Sequence, residues 1–368
     1  MIKHRWRLDF DFLCGLTAGG WAAVLRDAGF AVDREYLHRA ALVTALSASN
    51  SALAAVQRAV WGRAIERVTE LPPPVFVVGH FRQGTTHLHE LLAADPRLSF
   101  PSTWEVTAPL HFLVSERLAT TAFAPLLPSR RPQDAMPLGF ELPQEDEYAL
   151  ALTSGLSPFY AFVFPRDEAK WFRYLRLRDV PPDHLQRWKG AMTGFVRRHA
   201  ARDPRPMVLK SPPHTARIHL LRTLFPDARF VHVHRDPYEV FRSTRHLVDT
   251  GPWFTYLQVP DLDAVDERIL RWYTELYDGW FEERAEIPAN RVSEVAFDDL
   301  RRDPIGTLRR VYAEVELGPF EPAQAAVEAH LARVAGHPRN EYPPLAPAER
   351  ARVAEAWGRS FDAWGYPR

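Results

Sequence analysis

Cysteine is nearly absent from this sequence, which has only Cys14 among its 368 residues. A single cysteine excludes an intrachain disulfide framework. An excess of either charge is also absent, because 46 lysines and arginines balance 46 aspartates and glutamates. Without a net field to attract nucleic acid or an anionic membrane, any anion-binding site has to be built locally. With 46% apolar side chains, the composition is that of a soluble globular protein with a substantial core.

The sequence also lacks an unbroken apolar run of the roughly 18 residues that a membrane span requires. Its most apolar stretch, residues 40–60, is interrupted by serine, threonine and asparagine and predicts a packed helix. Near the amino terminus, basic residues at positions 3, 5 and 7 are followed by Asp9 and Asp11, where a secretory signal would be apolar. We therefore expect a cytoplasmic protein with no membrane span and no nucleic-acid partner.

The apolar pattern that is present predicts alternating strands and helices. Apolar residues recur at helical spacing over residues 33–70, and prolines at 72–74 end this pattern. The run at 75–78 is typical of a strand buried on both faces, and it leads through Gly79 into a helix. Two similar strand-helix units follow at 207–225 and 229–248, and another begins at Val292. Helical crossovers between strands indicate a parallel sheet.

A candidate phosphate loop, residues 79–86, lies between the first strand and its helix. The backbone N–H groups and the positive helix end at such a junction hold phosphate. Gly79 and Gly84 have the spacing of the Walker motif, but Thr85 stands where an ATPase would have lysine, and the cation is instead Arg82 within the loop. A purely structural glycine turn is the alternative interpretation.

These patterns predict an α/β fold with a P-loop-like parallel sheet flanked by helices. About 110 residues rich in proline and aromatic side chains separate the first two strand-helix units, too many for a loop, and we interpret them as helical cover over the site. We expect one domain over 1–368, with a helical segment at 1–71, a core at 72–310 with an insertion at about 100–205, and further helices at 311–368.

A second candidate site feature follows the strand at 229–234. Arg235 leaves the strand end, where ligands bind in open α/β sheets, and Ser243 lies eight residues further on the next helix. Two helical turns place the hydroxyl where it could face the guanidinium, which would form a clamp for a monophosphate. The alternative is an arginine that merely pairs with Asp236.

The ordered combination of these motifs resembles the PAPS-dependent sulfotransferases, and most closely the bacterial branch similar to tyrosylprotein sulfotransferases. The segments that carry the resemblance, which extends over about residues 72–345, are Arg82-Gln83-Gly84-Thr85-Thr86, Leu209-Lys210-Ser211-Pro212, Phe225-Pro226-Asp227-Ala228-Arg229-Phe230, Arg235-Asp236-Pro237 and Ser243. The resemblance implies a 5′-phosphosulfate loop at 82–86, a clamp for the 3′-phosphate at Arg235 and Ser243, and transfer of a sulfuryl group from PAPS, leaving PAP. The family loop usually has proline and serine where this chain has Phe81 and Gln83.

Candidate catalytic cations are Arg82 in the loop and Lys210 at the neighbouring strand end. By the resemblance, Lys210 would face the leaving oxygen; the alternative is an ordinary surface lysine. Sulfuryl transfer needs a cation beside that oxygen, because negative charge develops there as it leaves, and the arginine and lysine supply positive charge without a metal. His232 and His234 share one strand face, but two ligands do not make a zinc site, so we predict no metal.

The general base is predicted to be Glu105, in the region where tyrosylprotein-type relatives carry their catalytic glutamate. An ungapped count from the loop reaches Thr103, so the match needs a shift of two residues. Alternatives are His89 and the acidic group at 145–147, for which a surface cluster is the ordinary explanation. Arg339 and Asn340 resemble the late family loop that closes over the nucleotide; an ordinary surface loop is the alternative.

The sequence as a whole therefore predicts a sulfotransferase that uses PAPS to modify a hydroxyl or amine of a small acceptor. Aromatic side chains between Trp104 and Tyr174 favour an apolar or aromatic acceptor, although core packing explains many of them equally well. Two other functions remain open. One is a P-loop kinase or NTPase, and the other is a sulfotransferase homologue that binds nucleotide without turnover.

Overall fold

A four-stranded parallel sheet forms the centre of the protein. The structure, a computed structural model, describes residues 3–8, 11–123, 139–336, 340 and 342–368. The strands are β1 (Val75–Val78), β2 (Val208–Lys210), β3 (Arg229–His234) and β4 (Val292–Ala296). Their spatial order is β2-β1-β3-β4, so β1 lies between two strands that come much later in the chain.

Helices cover both faces of this sheet. They are α1 (Ala18–Asp27), α2 (Leu37–Glu66), α3 (Thr85–Ala93), α4 (Thr103–Thr107), α5 (Phe112–Phe123), α6 (Glu147–Ser154), α7 (Glu168–Phe172), α8 (Pro182–Ala200), α9 (Ile218–Leu224), α10 (Pro237–Thr250), α11 (Val265–Glu283), α12 (Phe297–Arg302), α13 (Pro304–Glu314), α14 (Glu321–Val334), α15 (Pro347–Ala356) and α16 (Gly358–Trp364). Short helical turns at Phe12–Gly15, Pro158–Phe162 and Pro212–Ala216 also contribute to the site described below.

Alternate residues of each strand pack into two different cores. Val75 and Val77 of β1 face a cluster that includes α3, α13 and α14, while Phe76 and Val78 face a larger, aromatic-rich cluster. All four side chains are completely buried. This explains the unbroken apolar run in the sequence, because a central parallel strand has no solvent-facing side.

The predicted fold class is confirmed. The predicted strands and the helix after each of them are present, within a few residues of the expected bounds. One local difference follows β2, where Pro212–Ala216 forms a tight helical turn before α9 begins at Ile218. Two successive prolines lack backbone N–H donors, so the regular helix starts only beyond them.

The long helix α2 lies in the amino-terminal layer and buries several of its polar side chains. By length and composition, the segment Arg34–Glu66 is apolar enough to cross a membrane, with a mean hydropathy of 1.2 in its best window. Yet Asn50 is buried and donates to the carbonyl oxygens of Cys14 and Leu16, at 2.7 and 2.9 Å. Gln57 is also buried and accepts a hydrogen bond from the backbone of α5. These contacts fix α2 to the rest of the protein.

Three consecutive acidic residues connect the helical insertion to the end of β2 and the segment that follows it. Lys210 Nζ lies 2.6 Å from Glu145 Oε1, and His214 Nε2 lies 2.6 Å from Asp146 Oδ2. The third pair is bidentate, with Arg217 Nη1 and Nη2 at 2.7 and 3.2 Å from the Glu147 carboxylate. Asp146 and Glu147 are fully buried, so the interpretation of 145–147 as a surface acidic cluster is wrong.

We expect Arg217→Leu to lower the free energy of unfolding by about 3 to 5 kcal/mol, because it leaves the Glu147 carboxylate buried without its cation. Arg352→Gln is the control, since Arg352 and Glu267 form an exposed ion pair. That change should cost less than about 1 kcal/mol. Urea unfolding followed by circular dichroism measures both. Similar losses of unfolding free energy in the two variants would show that breaking the buried Arg217–Glu147 pair costs no more than breaking an exposed pair.

Helix α11 makes a close backbone approach to the turn Pro212–Ala216 at Gly279. A Cβ on Gly279 would lie 2.8 Å from Ala216 Cα and 2.9 Å from its Cβ. Only glycine leaves room for this contact, which sets how closely α11 packs behind the phosphate loop.

Gly279→Ala and Gly190→Ala should therefore shift stability in opposite directions. Alanine favours a helix over glycine by about 0.5 to 1 kcal/mol, and nothing lies within 4 Å of the Cβ position at Gly190 in α8. At Gly279 the overpacking cost of about 1 to 3 kcal/mol outweighs that gain. Thermal unfolding should show a raised Tm for Gly190→Ala and a lowered Tm for Gly279→Ala. Stabilisation by both would contradict the close approach.

Candidate active site

The predicted phosphate loop joins β1 to α3 at the carboxyl edge of the sheet. Gly84 precedes α3 with a φ of +93°, and a Cβ there would lie 2.1 Å from the ring of Phe297. Arg82 has a φ of +68°, in the left-handed region that residues with a Cβ rarely adopt. The loop thus has a constrained backbone that ends at a helix amino terminus, as an anion site requires.

Gln83 holds the loop from inside the protein. Its side chain is completely buried, and Oε1 accepts hydrogen bonds from the His80 backbone N–H and the Tyr277 hydroxyl, each at 2.5 Å. The ring of His232 on β3 lies 3.2 Å from the same hydroxyl. The residue that replaces the usual family serine therefore supports the loop through α11 by its Oε1, while its buried Nε2 has no hydrogen-bond partner.

The structure places Arg82 against both residues of the predicted clamp, Arg235 and Ser243. Arg82 Nε donates to Ser243 Oγ at 2.9 Å, and Arg235 Nη1 donates to the Arg82 carbonyl oxygen at 3.2 Å. Arg235 also lies over the Phe297 ring, 5.0 Å from its centre, and burial lowers the pKa of its guanidinium. Two arginines and a hydroxyl thus lie together beside the loop, an arrangement that is chemically suited to an anion.

Tyr342 belongs to this cluster. Its hydroxyl lies 3.0 Å from Ser243 Oγ, and Arg242 Nη1 donates to its carbonyl oxygen at 2.9 Å. Burial raises the pKa of the Tyr342 phenol, but hydrogen bonds with Ser243 and Asn340 and the charge of Arg82 more than offset this and leave the pKa below its ordinary value. Asn340 is thus near the clamp, whereas Arg339 lies outside the described residues.

Lys210 and Glu145 meet at the other side of the loop. Lys210 Nζ is 3.5 Å from the Thr86 hydroxyl and 2.6 Å from Glu145 Oε1. The Lys210 side chain is only 2% exposed, so the surface-lysine alternative is wrong, while the Glu145 carboxylate keeps 15% exposure. Thr85, next to Thr86, is buried as the first residue of α3. A cation and a partly accessible carboxylate therefore stand together at the start of the loop helix.

Glu105, the predicted base, has the contacts of a structural residue. Its Oε2 accepts from the Ser102 N–H at 2.8 Å, while the Ser102 side chain accepts from the Glu105 N–H, which forms a capping box on α4. Its Oε1 pairs with His199 at 3.0 Å and Arg202 at 2.5 Å. The side chain is 1% exposed. The structure thus joins Glu105 to α8 rather than to the loop residues.

The candidate histidines His89, His232 and His234 make contacts with other protein groups. His89 donates through Nε2 to the Val208 carbonyl oxygen at 3.2 Å, and burial together with the charge of Lys210 lowers its pKa to about 3. His232 stacks on Trp280 and His234 stacks on Trp364. In the part of the chain that the structure describes, no group of three or more histidine, cysteine, aspartate or glutamate residues is placed to hold a metal.

Aromatic rings extend from the loop toward the amino-terminal layer. Phe81 lies 6.1 Å from Phe159 between ring centres, Phe159 lies 5.2 Å from Tyr148, and Tyr148 lies 5.3 Å from Phe12. Phe162 packs edge-on against Phe81. Phe81, Tyr148 and Phe162 are half-buried, whereas most aromatic residues of the insertion are fully buried in the core. A patch of apolar surface thus borders the loop.

Comparisons with known proteins agree with this geometry. The Sulfotransferase family matches residues 73–322, a segment that includes the loop, Lys210, Arg235 and Ser243. The chain is 37% identical over 358 residues to omega-hydroxy-beta-dihydromenaquinone-9 sulfotransferase Stf3 of Mycobacterium bovis, which covers 96% of this chain and 91% of that protein. The protein of the same name from Mycobacterium tuberculosis matches equally well.

Solved structures share the fold. Sulfotransferase STF9 from Mycobacterium avium superposes with a TM-score of 0.71 at 18% identity, over 97% of this chain and 92% of that chain. Sulfotransferase STF1 from Mycobacterium tuberculosis gives 0.66 at 19% identity, over 93% and 92%. The closeness to tyrosylprotein sulfotransferases stays a prediction. Because the family match spans both cation-bearing strand ends and a relative aligns along nearly the whole chain, this protein belongs to the Sulfotransferase family.

Proposed function

We propose that this protein transfers a sulfuryl group from PAPS to a hydroxyl group of a small apolar acceptor. The observation that carries the proposal is the cluster of Arg82, Arg235 and Ser243 beside a strained phosphate loop. PAPS differs from ATP in having a 3′-phosphate, and an arginine with a serine hydroxyl suits a monophosphate at that position. The Walker lysine needed by a P-loop NTPase is replaced by Thr85, which disfavours that rival.

In this proposal the loop amides and Arg82 hold the phosphosulfate, and Lys210 stabilises the bridging oxygen as its bond to sulfur breaks. Charge that develops on a leaving oxygen is stabilised best by cations that are already fixed in place. Lys210 meets this condition, since it is buried and held between Thr86 and Glu145. The oxygen of the acceptor forms the new bond to sulfur, and its proton has to go to a base.

We assign the base to Glu145 in preference to Glu105. A general base must reach the proton of the acceptor, which needs an accessible oxygen close to the reacting group. Glu145 contacts Lys210 beside the loop, and its side chain retains some exposure, whereas both oxygens of Glu105 are engaged by Ser102, His199 and Arg202. The choice rests on this difference in contacts.

The acceptor is proposed to lie along the half-buried rings of Phe81, Tyr148 and Phe162. Aromatic side chains bind apolar ligands in partly enclosed sites, with few polar groups to orient them. The name of the mycobacterial relative describes a hydroxylated menaquinone derivative, which is an apolar acceptor of this kind. We therefore place the acceptor among apolar molecules with one hydroxyl group, ahead of acidic polysaccharides.

Our first prediction for this function is that PAP binds far more tightly than AMP, because only PAP has the 3′-phosphate that Arg235 and Ser243 would contact. A charge-assisted hydrogen bond contributes about 1.5 to 3 kcal/mol, so Arg235→Ala should weaken PAP binding roughly ten- to a hundredfold. Titration calorimetry measures this. The control is Arg301→Ala on α12, where the arginine is exposed. Equal affinity of the unaltered protein for PAP and AMP would overturn the clamp.

A second prediction separates the two glutamates. Glu145→Gln should lower turnover with an aliphatic alcohol by at least about 10², because a positioned base contributes about 10² to 10⁴ in rate. PAP affinity should change little, and an acidic phenol should be affected less than the alcohol. Glu105→Gln should mainly lower Tm.

Product formation with labelled PAPS at saturating donor provides the measurement. If Glu105→Gln abolished turnover with an unchanged Tm, the base would have to be reassigned to Glu105. If neither variant distinguished alcohol from phenol, no carboxylate at these two positions would serve as the base.

A further inference from the structure

The exposed side of α2 is mostly apolar, with Thr44 and Ser49 as its polar members over residues 40–57, although its buried side carries polar residues. Ser47, Asn50 and Gln57 face the protein, whereas Leu37, Val56 and Val60 face outward, and Val60 is 66% exposed. No charged residue occurs between positions 40 and 57, a length of about 27 Å along the helix. This arrangement is the reverse of the usual surface helix, in which the polar side faces water. An exposed apolar surface of this extent indicates a binding partner.

Neighbouring segments enlarge the same surface. The amino-terminal turn at 3–8 is held on α2 by Arg39, whose guanidinium donates to the His4 and Arg7 carbonyl oxygens. This turn presents Trp6, which is 75% exposed and lies 5.9 Å from the ring of His38. Along the other part of α2, α5 presents Leu118 at 78% exposure. We call these outward residues of α2, the turn 3–8 and α5 the α2 face.

Basic residues lie at both ends of the α2 face. Lys3, Arg5, Arg7 and Arg34 are near the start of α2, and the exposed Arg58, Arg63 and Arg67 are near its end. In the first group Lys3 pairs with Asp249, and Arg5 and Arg34 both pair with Glu35. Residues 1–67 still contain nine lysines and arginines against six aspartates and glutamates, while the whole chain is neutral. The positive excess is therefore local to this layer.

We propose that the α2 face docks on an anionic lipid surface. A helix that lies in a membrane interface buries an apolar side among the lipids, and its basic residues contact anionic headgroups. Trp6 has the amphipathic ring that is enriched at such interfaces. A second copy of the chain fits less well, because pairing two α2 helices in either direction would bring basic ends close to basic ends.

Docking would also bring the active site close to an apolar acceptor in the membrane. This connection between docking and the reaction rests on the proposed function. The rings from Phe12 to Phe81 connect the amino-terminal layer to the phosphate loop. A long apolar acceptor concentrated in a membrane could reach the site from that side. The docking itself is inferred from exposure and charge and does not depend on what the active site does.

Vesicle flotation of the purified full-length protein tests this proposal. We expect binding to vesicles made of equal parts phosphatidylcholine and phosphatidylglycerol, weaker binding at high salt, and little binding to phosphatidylcholine alone. Ala48→Glu/Ala52→Glu places two carboxylates on the exposed side of α2 and should weaken binding at least about tenfold, since each charge near the surface contributes about a factor of five.

The matched control is Ala325→Glu/Ala329→Glu, which makes the same change on exposed positions of α14. This control should bind vesicles like the unaltered protein. All four alanines are exposed, so both variants should keep their circular dichroism and PAP affinity, whether or not the proposed acceptor is correct. Failure of the unaltered protein to bind anionic vesicles would overturn the proposal. So would a dimer in sedimentation analysis that Ala48→Glu/Ala52→Glu dissociates, because a second copy would then cover the face.

Discussion

Two ion pairs and one histidine–carboxylate hydrogen bond connect residues 145–147 to the end of β2 and the turn after it, and so connect the site to the rest of the fold. Each acidic residue contacts a different basic side chain. These are Lys210, His214 and Arg217, which lie within eight residues of one another where the chain leaves the sheet. Buried ion pairs add little net stability because desolvation opposes them, but they tolerate only a narrow set of geometries. We regard their main effect as positional: they align the helical insertion with the phosphate loop.

The backbone of the phosphate loop is restricted at Gly84 by the ring of Phe297. The Phe297 ring fills the space where a side chain on Gly84 would be, and it also supports the guanidinium of Arg235. One ring therefore sets both the loop backbone and the position of a clamp residue. The strand β4 ends at Ala296, directly before this ring, so the edge strand of the sheet determines where the ring stands.

The sequence alone predicts those features that depend on local patterns. Apolar runs bounded by prolines and glycines identify the strands, and the glycine spacing identifies the loop. The pairing of Glu145 with Lys210 joins residues 65 positions apart, and no local pattern encodes it. Gln83 likewise turns inward because of Tyr277, which lies 194 positions away. For Glu105 a local signal exists: Ser102-Thr103-Trp104-Glu105 has the spacing of a capping box, which favours a structural role.

The inward side chain of Gln83 has a consequence for how a donor is received. Gln83 Oε1 bonds to the His80 backbone and to Tyr277, with His232 behind them, in the absence of a ligand, while its buried Nε2 has no hydrogen-bond partner. The loop is therefore preorganised, and a nucleotide that enters it does not have to order the backbone. Since ordering flexible segments reduces affinity, a rigid loop leaves more of each phosphate contact available as net binding free energy.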